Sequence, residues 1–182
     1  MRNRSLMFGV LTVAVGMGIA CQQPAPAPAA PVQSPVERGK YLVTAMDCNG
    51  CHTPFKNGAP DPDRRLSGHP EGVIVKAPPK LPAGWTTAIN DTNTAWAGPW
   101  GISFTANLTP DQNTGMGIWT EQMFIDSIRK GKHMGTSRDI LPPMPWQMQA
   151  NLSNDDLRVI FAFLKTIQPV PNHVPEPIPP GK

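Results

Sequence analysis

Residues 47–55 read DCNGCHTPF, and this stretch decides the fold. It holds Cys48 and Cys51, two of the chain's three cysteines, and His52 follows the second directly. The spacing alone allows a redox disulfide, half of a zinc site or a covalent haem anchor. A C-x-x-C bridge is reactive rather than structural, and a thioredoxin-like site needs the pair to open a helix within a βαβ unit. Here the pair follows the helix-like stretch VERGKYLVTAMD (36–47) and leads into the loop HTPFKNGAPDPD (52–63). A structural zinc site needs four ligands, yet His69, His133 and His173 are scattered without pair spacing. C-x-x-C-H fits haem c: two thiols three apart span the porphyrin vinyl groups, and His52 becomes the proximal iron ligand. One motif predicts one covalent haem c.

The rest of the chain bears on where such a protein works. Arg2 and Arg4 precede the apolar run LMFGVLTVAVGMGIA (6–20), which has signal-peptide rather than membrane-spanning length. The run ends in GIAC, which resembles a bacterial lipoprotein lipobox, so Cys21 is the expected lipidation site. Gln22 after it fits outer-membrane sorting in a host with such a membrane. QQPAPAPAAPVQSP (22–35) cannot build a core and reads as an extended tether. The expected organisation is a signal peptide (1–20), a lipidated Pro/Ala-rich tether (21–35), a haem domain (36–170) and a Pro-rich tail (171–182). The expected location is the bacterial periplasm, with the domain anchored to the membrane through lipid.

Composition narrows the function. The 23 prolines and 16 glycines predict much turn and irregular loop. Loss of Arg2 and Arg4 leaves 14 basic against 13 acidic residues, a net of +1, so the basic balance is no argument for nucleic acid. RKGKH (129–133) is the one basic cluster, and a helix C-terminus accounts for it. No nucleophile with an orienting base stands out, and Asp61, Asp63, Asp155 and Asp156 read as loop and cap residues.

A sixth iron ligand must come from elsewhere. Met144 lies in ILPPMPW (140–146), where Pro142, Pro143 and Pro145 stiffen the backbone around a soft thioether. Met134, Met148, Met116 and a bis-histidine site with His133 are the alternatives. Met123 sits inside a helical pattern and reads as core, and Met46 reads as a helix–helix contact.

The order C-x-x-C-H, NLTPDQNTGMGIWT (107–120), PPMPW (142–146) and LSNDDLRVIFAFLKTI (152–167) resembles the class I cytochromes c. Among them it is most similar to the c-type subunits that accept electrons from periplasmic dehydrogenases. The resemblance covers residues 36–170 and implies an all-α fold. In that fold the first and last helices cross beside one haem, with long Pro/Gly/Trp-rich loops. It implies Met144 as axial ligand and an electron carrier rather than an enzyme. Its donor and acceptor would be redox proteins: a dehydrogenase, an oxidase or another cytochrome. The rival readings are a fixed relay subunit of a larger oxidoreductase and a haem sensor or enzyme with an open sixth site. A thiol oxidoreductase is more distant. The segment between Phe55 and Phe104 departs from the family.

Local patterns agree with helices at both ends. Gly39, Leu42, Val43 and Met46 share one helical face. Thr120 and Gly131 bracket a middle helix that buries Phe124 and Ile128. Ser153 starts a last helix with the stripe Leu157, Ile160, Phe161, Leu164 and Ile167, and Pro169 stops it. Gly39 is the expected crossing point, with Phe161 or Phe163 against it. Trp85, Trp96 and Trp100 are expected to cover the haem, Trp96 or Trp100 through an indole N–H on a propionate.

Overall fold

A computed structural model describes residues 33–181. The expected signal peptide, Cys21 and most of the tether lie outside the described residues. No helix among the described residues is long and apolar enough to cross a membrane.

The helix α1 (Pro35–Ala45) begins where its sequence dictates. Ser34 accepts from the Glu37 backbone N–H while the Glu37 carboxylate accepts from the Ser34 N–H, a reciprocal cap that pairs two otherwise orphaned donors. A short helix, α2 (Cys48–His52), follows directly. The helix α3 (Glu121–Lys130) is capped by Thr120 and ends at Gly131, whose φ of 62° suits a residue without Cβ. One further turn, α4 (Trp146–Gln149), precedes α5 (Asn154–Leu164), which Ser153 caps.

The principal contact is α1 on α5. Val43 and Leu157 are almost fully buried there, and Phe124 of α3 stacks on Phe161 of α5 with centroids 5.5 Å apart. Gly39 is where the two helix backbones meet. A Cβ at this position would overlap the Val159 carbonyl oxygen and stand 2.8 Å from the Phe163 Cβ. Of the two aromatic residues expected here, Phe163 is the one in contact.

The expectation of an all-α fold is overturned. Of the described residues 32% are helical and 11% extended, and the extended part forms two small sheets. The strands β1 (Phe55–Lys56) and β2 (Ala59–Pro60) form a hairpin around Asn57-Gly58, both with positive φ, as a tight hairpin turn demands. The strands β3 (Ala88–Ile89), β4 (Ala95–Gly98) and β5 (Gly101–Phe104) make an antiparallel sheet in that order. Ala95, Ala97 and Ile102 form a second small core with Val75, Phe104 and Ile178.

The residues beyond 170 run back over the domain. Ile178 exchanges two backbone hydrogen bonds with Ile102, at 2.8 and 2.9 Å. Asn172 is buried, donates to the carbonyls of Ser67 (2.7 Å) and His69 (2.8 Å), and accepts from Arg64 (2.7 Å). Every side-chain polar atom of Asn172 is thereby satisfied inside the protein.

The α1–α5 contact gives a direct prediction. Gly39→Ala should lower stability by about 1–3 kcal/mol, because the backbones must separate to admit a methyl group. Chemical denaturation followed by circular dichroism would read the loss.

A candidate haem-binding cleft

The motif that opened the sequence occupies α2. Asp47 adopts the left-handed region (φ 52°) and accepts from the Gly50 N–H at 3.1 Å, which starts the turn. Cys48 and Cys51 then fall on one side of the turn, both half-buried and not bridged to each other. Burial pushes the Cys48 thiol up to about 11 and raises Cys51 as well. A redox-active pair needs an electropositive setting that favours thiolate, and Asp47 supplies the opposite. No group of three or more His, Cys, Asp or Glu is clustered for a metal ion among the described residues.

His52 is buried, and its Nδ1 lies 2.8 Å from the Ala106 carbonyl oxygen. A carbonyl can only accept, so Nδ1 carries the proton and Nε2 keeps its lone pair. Burial lowers the His52 pKa, with the Ala106 hydrogen bond a smaller opposing effect, so the ring stays neutral at pH 7. A neutral imidazole, oriented through its other nitrogen, is the form that ligates a metal.

His52 and both thiols line a cleft of about 380 Å³. Its walls are largely apolar: Leu108, Met116, Trp119, Phe124, Leu157 and Ile160 all contribute. Met144 lines the same cleft. Its loop is tied to β5, where the Ser103 hydroxyl donates to the Pro142 carbonyl. Among the alternatives, His133, Met134 and Met116 also reach the cleft, whereas Met148 is outside it and 76% exposed. His133 packs edge-on against Trp119, with centroids 5.3 Å apart.

Three tryptophans expected over the haem separate. Trp85 is exposed and does not line the cleft. The Trp100 Nε1 donates to Ser103 at 3.3 Å. Trp96 does line the cleft, and its buried Nε1 has no partner within the protein; nor does the buried Thr105 hydroxyl, which lines it too. A buried donor without a partner is costly, so both point to an acceptor held in the cleft. Haem c fits these residues: an apolar macrocycle for the walls, two attachment carbons for the thiols, and propionate oxygens for the orphaned donors.

Two contributions lay beyond sequence reasoning. The 107–120 string is braced by its own side chains. Asn107 accepts from the Thr109 N–H and hydroxyl at 3.0 and 2.7 Å, and Asp111 accepts from those of Thr114 at 2.8 and 2.6 Å. The C-terminal residues His173, Val174, Glu176 and Pro177 line the cleft, and Glu176 pairs with Arg138 beside it at 3.0 Å. A Pro-rich composition carries no signal for that placement.

A model of the cytochrome c family matches residues 36–168. The chain is 26% identical over 169 residues to the fructose dehydrogenase cytochrome subunit of Gluconobacter japonicus, covering 92% of this chain and 28% of that protein. It is 28% identical over 138 residues to the cytochrome c subunit of the quinone alcohol dehydrogenase of Gluconobacter oxydans, covering 74% and 22%. The gluconate 2-dehydrogenase cytochrome c subunit of Pantoea cypripedii is 28% identical over 142 residues, covering 74% and 24%. The chain thus spans only 22% to 28% of the length of these relatives.

The orphaned indole makes a prediction. Trp96→Phe removes a donor to an anionic acceptor, which favours ferric iron and lowers the reduction potential. A change of about 1 kcal/mol corresponds to roughly 40 mV for one electron. Trp100→Phe, whose indole is already paired, should shift the potential far less in the same redox titration.

Proposed function

We propose, from the premise that the chain belongs to the cytochrome c family, that it is a periplasmic electron relay tethered to the membrane. It carries one haem c with His52 and Met144 as axial ligands. Family membership implies covalent haem c, and the single C-x-x-C-H motif supports one haem per chain. When bound, that group supplies a one-electron Fe(III)/Fe(II) couple.

The observation that carries the reading is that His52 and Met144 line the same cleft and are braced by the same stretch of chain. Ala106 holds the imidazole and Ser103 holds the loop before Met144. Cys48 and Cys51 would hold the macrocycle through thioether bonds, and His52 would present Nε2. Met144 would present its sulfur from a loop stiffened by three prolines, so little further ordering accompanies ligation. Ligands fixed in advance keep the reorganisation on electron transfer small. Bound methionine raises the reduction potential, which suits acceptance of electrons from a dehydrogenase.

The N-terminal sequence supports export and lipidation at Cys21. The names of the relatives support a dehydrogenase as electron donor; the acceptor would be an oxidase or another cytochrome. Because those relatives are subunits, a fixed relay position within a larger oxidoreductase is the second reading; stable co-purification with a dehydrogenase would select it.

Met144→Ala tests the ligand assignment. The variant should lose the weak long-wavelength sulfur-to-iron absorption of the ferric protein, fall in reduction potential and bind carbon monoxide when reduced. Met134→Ala and His133→Ala should keep the wild-type spectrum. The same loss in Met134→Ala, with Met144→Ala unaffected, would assign the ligand to Met134; a parent protein without the sulfur band, whose spectrum changes only in His133→Ala, would assign it to His133.

A further inference from the structure

The chain between Glu71 and Asp91 contributes nothing to the cleft: no residue of it lines the cavity. Its sequence, GVIVKAPPKLPAGWTTAIN, holds Lys76 and Lys80 and no acidic residue. The start of the segment is firmly rooted. The buried His69 bonds through Nε2 to the Val73 carbonyl at 2.8 Å and through Nδ1 to Thr94 at 2.9 Å. Val75 packs against the second core. Val73 and Val75 are half-buried, so the residue between them alternates outward, and Ile74 is 72% exposed. Beyond Val75 almost every residue to Thr87 is exposed, and Trp85 is 68% exposed.

Ile74 and Trp85 belong to neither core cluster and present apolar side chains to solvent. Four features choose between possible occupants. The two lysines stand without a carboxylate in the segment, a pattern that complements an anionic surface. Tryptophan combined with lysine is the composition enriched at membrane–water interfaces, whereas lysine is depleted at protein–protein contacts. Pro78, Pro79 and Pro82 restrict the loop, so its ordering on contact costs little. Finally, the loop lines no part of the cleft, so contact through it does not engage the residues that hold the haem.

We propose that residues 73–87 form a docking loop for an anionic lipid surface. Ile74 and Trp85 enter the headgroup region while Lys76 and Lys80 meet lipid phosphates. The contact is separate from lipidation at Cys21 and from the haem ligands, so it stands or falls independently of both.

The test uses the full-length, haem-loaded chain carrying Cys21→Ser, mixed with vesicles of phosphatidylcholine alone or with phosphatidylglycerol. Any contribution of the N-terminal apolar run is common to all variants and cancels in the comparison. Ile74→Ser with Trp85→Ser should lower partition into anionic vesicles about tenfold. Lys76→Gln with Lys80→Gln should reduce the preference for anionic over neutral vesicles by about fivefold per charge. These side chains are solvent-exposed, and an unchanged haem spectrum verifies that each variant is folded. Partition equal to that of the Cys21→Ser parent in both double variants would overturn the proposal. So would unchanged partition accompanied by lost association with a partner dehydrogenase, which would make the loop a protein interface.

Discussion

The hydrogen bond from His52 to the Ala106 carbonyl is the constraint around which the cleft is organised. It sets the tautomer, turns the free nitrogen away from the backbone and makes a buried imidazole tolerable. The bond depends on residues 101–106 being held in place. β4 flanks β5, the C-terminal Ile178 pairs with Ile102, and His69 donates its backbone N–H to the Thr105 carbonyl at 2.9 Å. Ser103, two residues after Gly101, reaches the proline loop on its other side. A sheet of ten residues thus lies between the segment that carries His52 and the loop that carries Met144, 92 positions apart in sequence.

Around this sheet the polar groups divide into satisfied and waiting. Asn172, Asn107 and His69 are buried with their partners, and each links stretches of chain far apart in sequence. The Trp96 indole N–H and the Thr105 hydroxyl are buried without partners, on residues that line a mostly apolar cleft. Arg64 Nε and Ser67 Oγ are also buried and unpaired but line no part of the cleft; the pair at Trp96 and Thr105 stands where Cys48, Cys51 and His52 converge, and a bound acceptor there would satisfy it. The same distinction separates Trp96 from Trp100, which the sequence could not do.

What was legible in the sequence followed from local chemistry. The C-x-x-C-H motif carries its spacing within five residues, and the caps at Thr120 and Ser153 act within one turn. Gly39 was legible because a side-chain-free position on an apolar face marks a close approach. The sheets were not. β1, β2 and β3 are two residues each, and β4 and β5 are built from Ala, Gly, Ser, Trp, Ile and Phe, whose alternation is too short to rise above loop composition. Asn57-Gly58 is a hairpin dipeptide, but Asn49-Gly50 is the same dipeptide inside α2, so the pair alone does not mark a strand turn. The C-terminal segment was hidden for a different reason: its order comes from Asn172 and Ile178 bonding to residues about 60 to 105 positions away, and non-local partners leave no local trace. Choosing among Met116, Met134, His133 and Met144 is likewise a question of three dimensions.

The central claim is that one haem is held with both axial positions filled from within the chain. The direct measurement is the absorption of the wild-type haem-loaded protein, oxidised, reduced, and reduced under carbon monoxide. The account predicts a c-type spectrum, a weak sulfur-to-iron band in the ferric form and no spectral change when the gas is added. Prompt carbon monoxide binding by the native reduced protein would contradict it and would mark the sixth position as open.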